Sequence, residues 1–148
     1  MMFGTSWDDV LEGGAGSDTI NGLEGEDTLI GKDGFDYLFG AAGNDVLWSG
    51  RKFSGPFDEE HPDFDRTNFD NSQFGGYLAG GSGHDTLLGT AGKEKLEGGT
   101  GLDSIFGFAG DDLIFGGSHD DTLYGGAGYD DIFGGHGDDY IKGGSGDD

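Results

Sequence analysis

Cysteine is absent from the 148-residue chain, which excludes both a disulfide framework and a thiolate metal centre as sources of stability. Basic residues are scarce as well: seven Lys and Arg stand against thirty Asp and Glu, for a formal net charge of −23. Nucleic acid and anionic membrane surfaces are therefore poor partners, and a cation is the natural counterpart. No stretch approaches the roughly 18 apolar residues of a membrane span. The start, Met1-Met2-Phe3-Gly4-Thr5, lacks the basic and apolar regions of a signal peptide. Apolar residues make up only 32% of the chain, too few for a conventional core.

Glycine is what the chain has in excess, with 35 residues. High glycine with high net charge also describes a disordered tract, and register is what argues against it. Laid out in nines, units begin at Gly4, Gly13, Gly22, Gly31 and Gly40, then at Gly80, Gly89, Gly98, Gly107, Gly116, Gly125, Gly134 and Gly143. The fourth position is glycine except at Trp7 and His119. The sixth is always acidic: Asp9, Asp18, Asp27, Asp36, Asp45, Asp85, Glu94, Asp103, Asp112, Asp121, Asp130, Asp139 and Asp148. The eighth is always Leu or Ile. Compositional drift does not hold three columns in phase over twelve complete units.

The run G-G-A-G-S-D-T-I-N from Gly13 resembles the G-G-x-G-x-D-x-U-x repeat of the RTX (repeats-in-toxin) family. The resemblance covers nearly the whole chain outside residues 49–79. It implies an all-β fold, a right-handed parallel β-roll in which six residues turn around calcium and three form a short strand. Calcium takes six to eight hard oxygens, which carboxylates and backbone carbonyls supply. The sixth-position acids would give the charged oxygen. Glycines at the first, second and fourth positions would adopt left-handed dihedrals and aim carbonyls inward. The metal-site set implied is thus the thirteen acids with Gly13, Gly16, Gly22, Gly25, Gly31, Gly34, Gly40, Gly43, Gly80, Gly83, Gly98, Gly101, Gly107, Gly110, Gly116, Gly125, Gly128, Gly134 and Gly137.

In the family arrangement calcium lies between turns two units apart, so one full coil takes eighteen residues and alternate units feed two sheets. One internal column would be Leu11, Leu29, Leu47, Leu87, Ile105, Leu123 and Ile141; the other, Ile20, Leu38, Leu96, Ile114 and Ile132. So few buried side chains cannot offset the entropy of ordering a glycine-rich backbone, and metal binding must be coupled to folding. Roughly eight to eleven Ca2+ ions would cancel most of the charge. Glu94, flanked by Lys93 and Lys95, is expected to bind more weakly than Asp103 or Asp130. Trp7 reads as a cap, and His119 as a side chain tolerated in a left-handed position.

The repeat blocks span 4–48 and 80–148, within one continuous domain. Between them, 49–79 reads as one enlarged turn ending in a strand at 77–79, with Leu78 joining the second internal column. Its Phe53, Phe57, Phe64, Phe69 and Phe74 would pack on the outside of the roll, with binding of a sugar or protein as the functional alternative. Asp63-Phe64-Asp65 lacks the glycine and final glutamate of an EF-hand loop. His61 with Glu59, Glu60 and Asp63 is the kind of grouping an acidic loop produces by chance, and His84, His119 and His136 read as solvated turn residues.

Side chains flanking an inward residue point outward. The ninth position of one sheet therefore stacks Glu12, Ile30, Trp48, Leu88, Phe106, Tyr124 and Lys142, an apolar row that something should cover: the insertion, a second copy, a neighbouring domain or a glycan. The other sheet offers Phe39, Phe115 and Phe133, interrupted by Ala79 and Glu97. No nucleophile motif, phosphate loop or zinc ligand set is present. The functional expectation is a non-catalytic calcium-binding module of a larger bacterial protein exported by type I secretion. The alternative is a carbohydrate- or protein-binding module using the insertion and the aromatic row.

Overall fold

The computed structural model describes residues 1–50 and 75–148. The insertion's phenylalanines, its Asp63-Phe64-Asp65 run and the His61 grouping lie outside the described residues. Among the described residues fourteen strands, β1 to β14 in chain order, form two seven-stranded sheets. One sheet carries Ile20 and holds the odd strands: β1 (Met2–Phe3), β3 (Thr19–Glu24), β5 (Tyr37–Ala42), β7 (Tyr77–Ser82), β9 (Lys95–Thr100), β11 (Leu113–Ser118) and β13 (Asp131–His136). The other carries Leu11 and holds the even strands: β2 (Val10–Glu12), β4 (Thr28–Ile30), β6 (Val46–Trp48), β8 (Thr86–Leu88), β10 (Ser104–Ala109), β12 (Thr122–Ala127) and β14 (Tyr140–Ser145). Every pairing is parallel, so the chain winds as a parallel β-roll, alternating between sheets.

Nine residues per half-coil is an odd number, but each half-coil lays its Leu or Ile in the same place, so both columns form in register. Leu29 pairs with Leu47 and Ile105 with Leu123 on one side; Ile20 pairs with Leu38 and Ile114 with Ile132 on the other. The interruption does not break either column. Leu78 sits between Leu38 and Leu96, and Leu47 pairs directly with Leu87. Ten Leu and Ile residues from the two columns are wholly shielded from solvent, with Met2, Leu11 and Ile132 packed against the ends. The core is therefore a one-dimensional stack, in which each coil is stabilised by its two neighbours.

Two details depart from the sequence expectation. Nine strands are six residues long, not three, because pairing runs on through the first three positions of the next unit. In β3, for example, Leu23 pairs with Ala41 and Glu24 with Ala42. Glycine also has two separate jobs. Fourth-position residues other than Trp7 and Gly92 are left-handed, as at Gly25 (φ 121°) and Gly128 (φ 142°), and His119 occupies the same region at φ 85°. First-position glycines are not left-handed. Their hydrogen is required because a Cβ would strike the turn's own carboxylate and, at most of them, a carbonyl of the next coil as well.

On the outer face of the Leu11 sheet, Ile30, Trp48 and Leu88 are buried, at 1%, 7% and 1% exposure. Phe106 and Tyr124 are half-buried and stack on each other at 5.0 Å with rings 4° from parallel. The centre of the apolar row is thus covered, and its Phe106 and Tyr124 end is partly open. On the opposite sheet Phe115 stacks on Phe133 at 5.1 Å, while Lys95 pairs with Glu97 at 2.5 Å and lies over the Tyr77 and Phe115 rings.

Candidate metal centre

The turns line up along two edges. On one edge the sixth positions are Asp9, Asp27, Asp45, Asp85, Asp103, Asp121 and Asp139, an unbroken column. On the other they are Asp18, Asp36, Gly76, Glu94, Asp112, Asp130 and Asp148. Gly76 falls at that place because Tyr77 N–H donates to the Asp36 carbonyl and Lys95 N–H to the Gly76 carbonyl, each at the coil-to-coil step. One carboxylate is thus missing beside the interruption, a gap that counting whole units from Gly80 had concealed.

Within each column the acids are linked by one repeated bond. The backbone N–H at a sixth position donates to Oδ1 of the sixth-position acid one coil later. Asp9 donates to Asp27 at 2.8 Å, Asp45 to Asp85 at 2.7 Å, Asp85 to Asp103 at 2.9 Å and Asp103 to Asp121 at 2.8 Å. On the other edge Asp18 donates to Asp36 at 2.9 Å, Glu94 to Asp112 at 2.8 Å and Asp112 to Asp130 at 2.9 Å. The last coil closes the pattern: Asp121 donates to Asp139 and Asp130 to Asp148.

This bond fixes each carboxylate and leaves its second oxygen turned into the turn. For Asp27, Asp36, Asp45, Asp85, Asp103, Asp112, Asp121 and Asp130 that Oδ2 is buried and has no hydrogen-bond partner. It faces the first-position glycine of its own turn and the first-position carbonyl of the next coil. A methyl group at Gly116 would lie 2.5 Å from both Asp121 Oδ2 and the Gly134 carbonyl oxygen. At the interruption Ser49 takes the first position: its carbonyl oxygen and Asp36 Oδ2 flank the corresponding point at Gly31.

A buried carboxylate oxygen with no donor is strongly unfavourable. Burial pushes the carboxyls upward, to about 6 at Asp45 and Asp121, about 7 at Asp85 and about 8 at Asp112, with neighbouring carboxylates adding to the shift. Asp27, Asp36, Asp103 and Asp130 move in the same direction for the same leading reason. A site that raises an acid in this way and surrounds it with carbonyl oxygens, not donors, fits a hard cation. Among the described residues no three His, Cys, Asp or Glu side chains converge on one point. The oxygens offered are single carboxylates with backbone carbonyls.

Three turns differ. Asp9 Oδ2 accepts from Thr5 N–H at 2.5 Å and Thr5 Oγ1 at 2.9 Å, and Asp18 Oδ2 accepts from Gly14 N–H at 2.7 Å. Glu94 accepts from Thr90 N–H at 3.2 Å and Thr90 Oγ1 at 2.5 Å. Burial still raises the Glu94 carboxyl, although the Thr90 bonds oppose the shift. Lys95 is not part of this turn, since its ammonium is held by Glu97 on the outer face.

The fifth position carries a second ladder that the repeat pattern does not advertise. Its side chains accept the fifth-position N–H of the following coil: Asp8 from Glu26, Asn44 from His84, His84 Nδ1 from Leu102, Asp111 from Tyr129 and Asp120 from Asp138. A short polar residue recurring at that position is the signal that would have found it. His84 is thereby employed as a hydrogen-bond acceptor, and His119 and His136 lie exposed in other turns.

The geometry agrees with the comparisons. The family description RTX calcium-binding nonapeptide repeat matches in four copies, over residues 3–38, 22–51, 88–118 and 115–148. Comparison with curated proteins finds no match. Phase, parallel coil and a column of carboxylates that lack donors converge, and the chain belongs to the RTX calcium-binding nonapeptide repeat family as a calcium-binding repeat module.

Proposed function

We propose that this module folds on binding calcium, and that it serves a non-catalytic, structural role within a larger secreted bacterial protein. The observation that carries the reading is the set of eight buried Asp Oδ2 atoms without a donor. Each would be held to a cation together with carbonyl oxygens of its own and the next coil. The cation would supply positive charge at the point where the chain concentrates negative charge and has only seven basic residues to oppose it. Because each pocket is made by two successive coils, no pocket exists in the unfolded chain, and binding free energy becomes folding free energy.

Calcium is millimolar outside cells and scarce inside, and extracellular calcium modules bind at about 10⁻⁴ to 10⁻³ M. The chain would therefore stay expanded before export and become compact afterwards. Far-UV circular dichroism of the purified chain, titrated with calcium, tests this. The parallel-strand signal should appear with calcium and be lost to excess chelator, while magnesium, which demands near-octahedral geometry and keeps its water, should replace calcium poorly. The same strand content with and without calcium would overturn the reading.

A further inference from the structure

We infer that Thr5 and Thr90 convert their turns from metal-held to self-held, so that the turns of Asp9 and Glu94 take no calcium. The inference rests on the calcium reading of the remaining turns. Both threonines stand at the second position of a unit, in Gly4-Thr5-Ser6-Trp7-Asp8-Asp9 and Gly89-Thr90-Ala91-Gly92-Lys93-Glu94. The two turns share one bonding scheme. The threonine N–H and hydroxyl both donate to the sixth-position carboxylate, and the hydroxyl accepts the N–H of the fourth position, from Trp7 at 3.2 Å and from Gly92 at 3.1 Å.

The backbone follows the bonding. Second-position residues are left-handed in most turns, including Leu23, Lys32, Ala41 and Phe108, which have side chains and accept the strain. Thr5 and Thr90 are not left-handed, and neither are Trp7 and Gly92, at a fourth position that is left-handed elsewhere. The second-position N–H therefore points into the turn and takes the carboxylate oxygen, as Gly14 N–H also does for Asp18, and the threonine hydroxyl adds a second donor that the Asp18 turn lacks. Glu94 is buried at 2% exposure, yet its oxygens are absent from the orphaned set. The extra methylene of glutamate lets one oxygen reach the hydroxyl while the other reaches the N–H. Glu94 is thus a poor candidate ligand because its oxygens are already bonded, and neighbouring lysine charge is not the reason.

The consequence is largest on the edge of Glu94. Gly76 offers no carboxylate and the next coil is self-held, so the column is divided into a part at Asp18 and Asp36 and a part at Asp112, Asp130 and Asp148. The unbroken edge loses only its terminal turn at Asp9.

Calcium stoichiometry, measured by competition with a chromophoric chelator, tests the inference. Thr90→Gly combined with Glu94→Asp restores the residues of the metal-type turns and should raise stoichiometry by one ion per chain. Thr5→Gly, at an exposed turn in the terminal coil, should do the same independently. Unchanged stoichiometry in Thr5→Gly and in the folded double variant would overturn the inference. So would a lanthanide soak of parent crystals giving a full-occupancy anomalous peak at Glu94. A parent that binds no calcium at all would instead defeat the functional proposal on which the inference rests.

Discussion

Glycine at two positions of the same nonapeptide answers two physical demands, and substitution should separate them. At Gly116 the obstacle is space, since an added methyl would occupy the cradle between Asp121 Oδ2 and the Gly134 carbonyl. Gly116→Ala should destabilise the roll by about 1–3 kcal/mol, as overpacking does, and remove one calcium from the measured stoichiometry. At Gly16 nothing lies within 4 Å of an added Cβ, but φ is 92°. Gly16→Ala should cost about 1–2 kcal/mol of left-handed strain and leave stoichiometry unchanged. The converse holds at His119, which already bears that strain at φ 85°. His119→Gly should add about 1 kcal/mol of stability, less whatever the Nδ1 contact to the Ser118 carbonyl at 2.6 Å contributes, and so raise the urea midpoint. The acid at position six and the glycine at position one were both legible in the sequence. The reason for that first glycine was not, because its neighbour is a carbonyl eighteen residues away.

Strand β10 shows how the element divides its work between faces. Ile105 is wholly buried between Leu87 and Leu123, whereas Phe106 points the other way onto Tyr124. Ile105→Ala should cost about 2–5 kcal/mol and shift the calcium midpoint upward, because coil packing and site formation are one event. Phe106→Ser should lose about 0.5–1.5 kcal/mol of ring stacking on Tyr124 and Phe108 and leave stoichiometry untouched, since the ring lies on the outer face, away from the sixth-position carboxylates. Equal shifts of the calcium midpoint in the two variants, read by the same titration, would contradict this division. The inward columns were legible as the Leu and Ile of position eight, including Leu78 beyond the interruption. Strand length was not, because pairing through Leu23 and Glu24 depends on a neighbouring coil and not on local preference. That the outward row needs cover was legible too, and Ile30, Trp48 and Leu88 at its centre are buried.

At the scale of the whole molecule, the carboxylate columns make metal-free stability depend on pH. Asp45, Asp85, Asp112 and Asp121 have folded values of about 6, 7, 8 and 6, against about 3.9 in the unfolded chain. A folded value raised above the unfolded one adds stability at low pH that is lost as pH rises through the folded value. In the absence of calcium the roll should therefore become more compact between pH 8 and pH 4. Small-angle scattering and circular dichroism of calcium-free protein, prepared by dialysis without residual chelator, would check this; a flat or opposite profile would refute it. With calcium the dependence reverses, since protons compete for the same oxygens, and the calcium midpoint should rise on acidification.

The sequence by itself determined the period, the inward columns, the acidic turns and the family to which the chain belongs. It could do so because a repeat writes each structural demand many times in the same phase. Tertiary structure alone decided which oxygens each turn leaves without a donor. Asp121 and Asp9 occupy equivalent places in the nonapeptide, yet one oxygen of Asp121 is orphaned while Asp9 is held by Thr5. The gap at Gly76 emerged in the same way, from pairing with Asp36 and Lys95 across the interruption. The physical reason is that a metal pocket here belongs to two coils, and which atoms face each other across coils is set by stacking register, not by any single repeat.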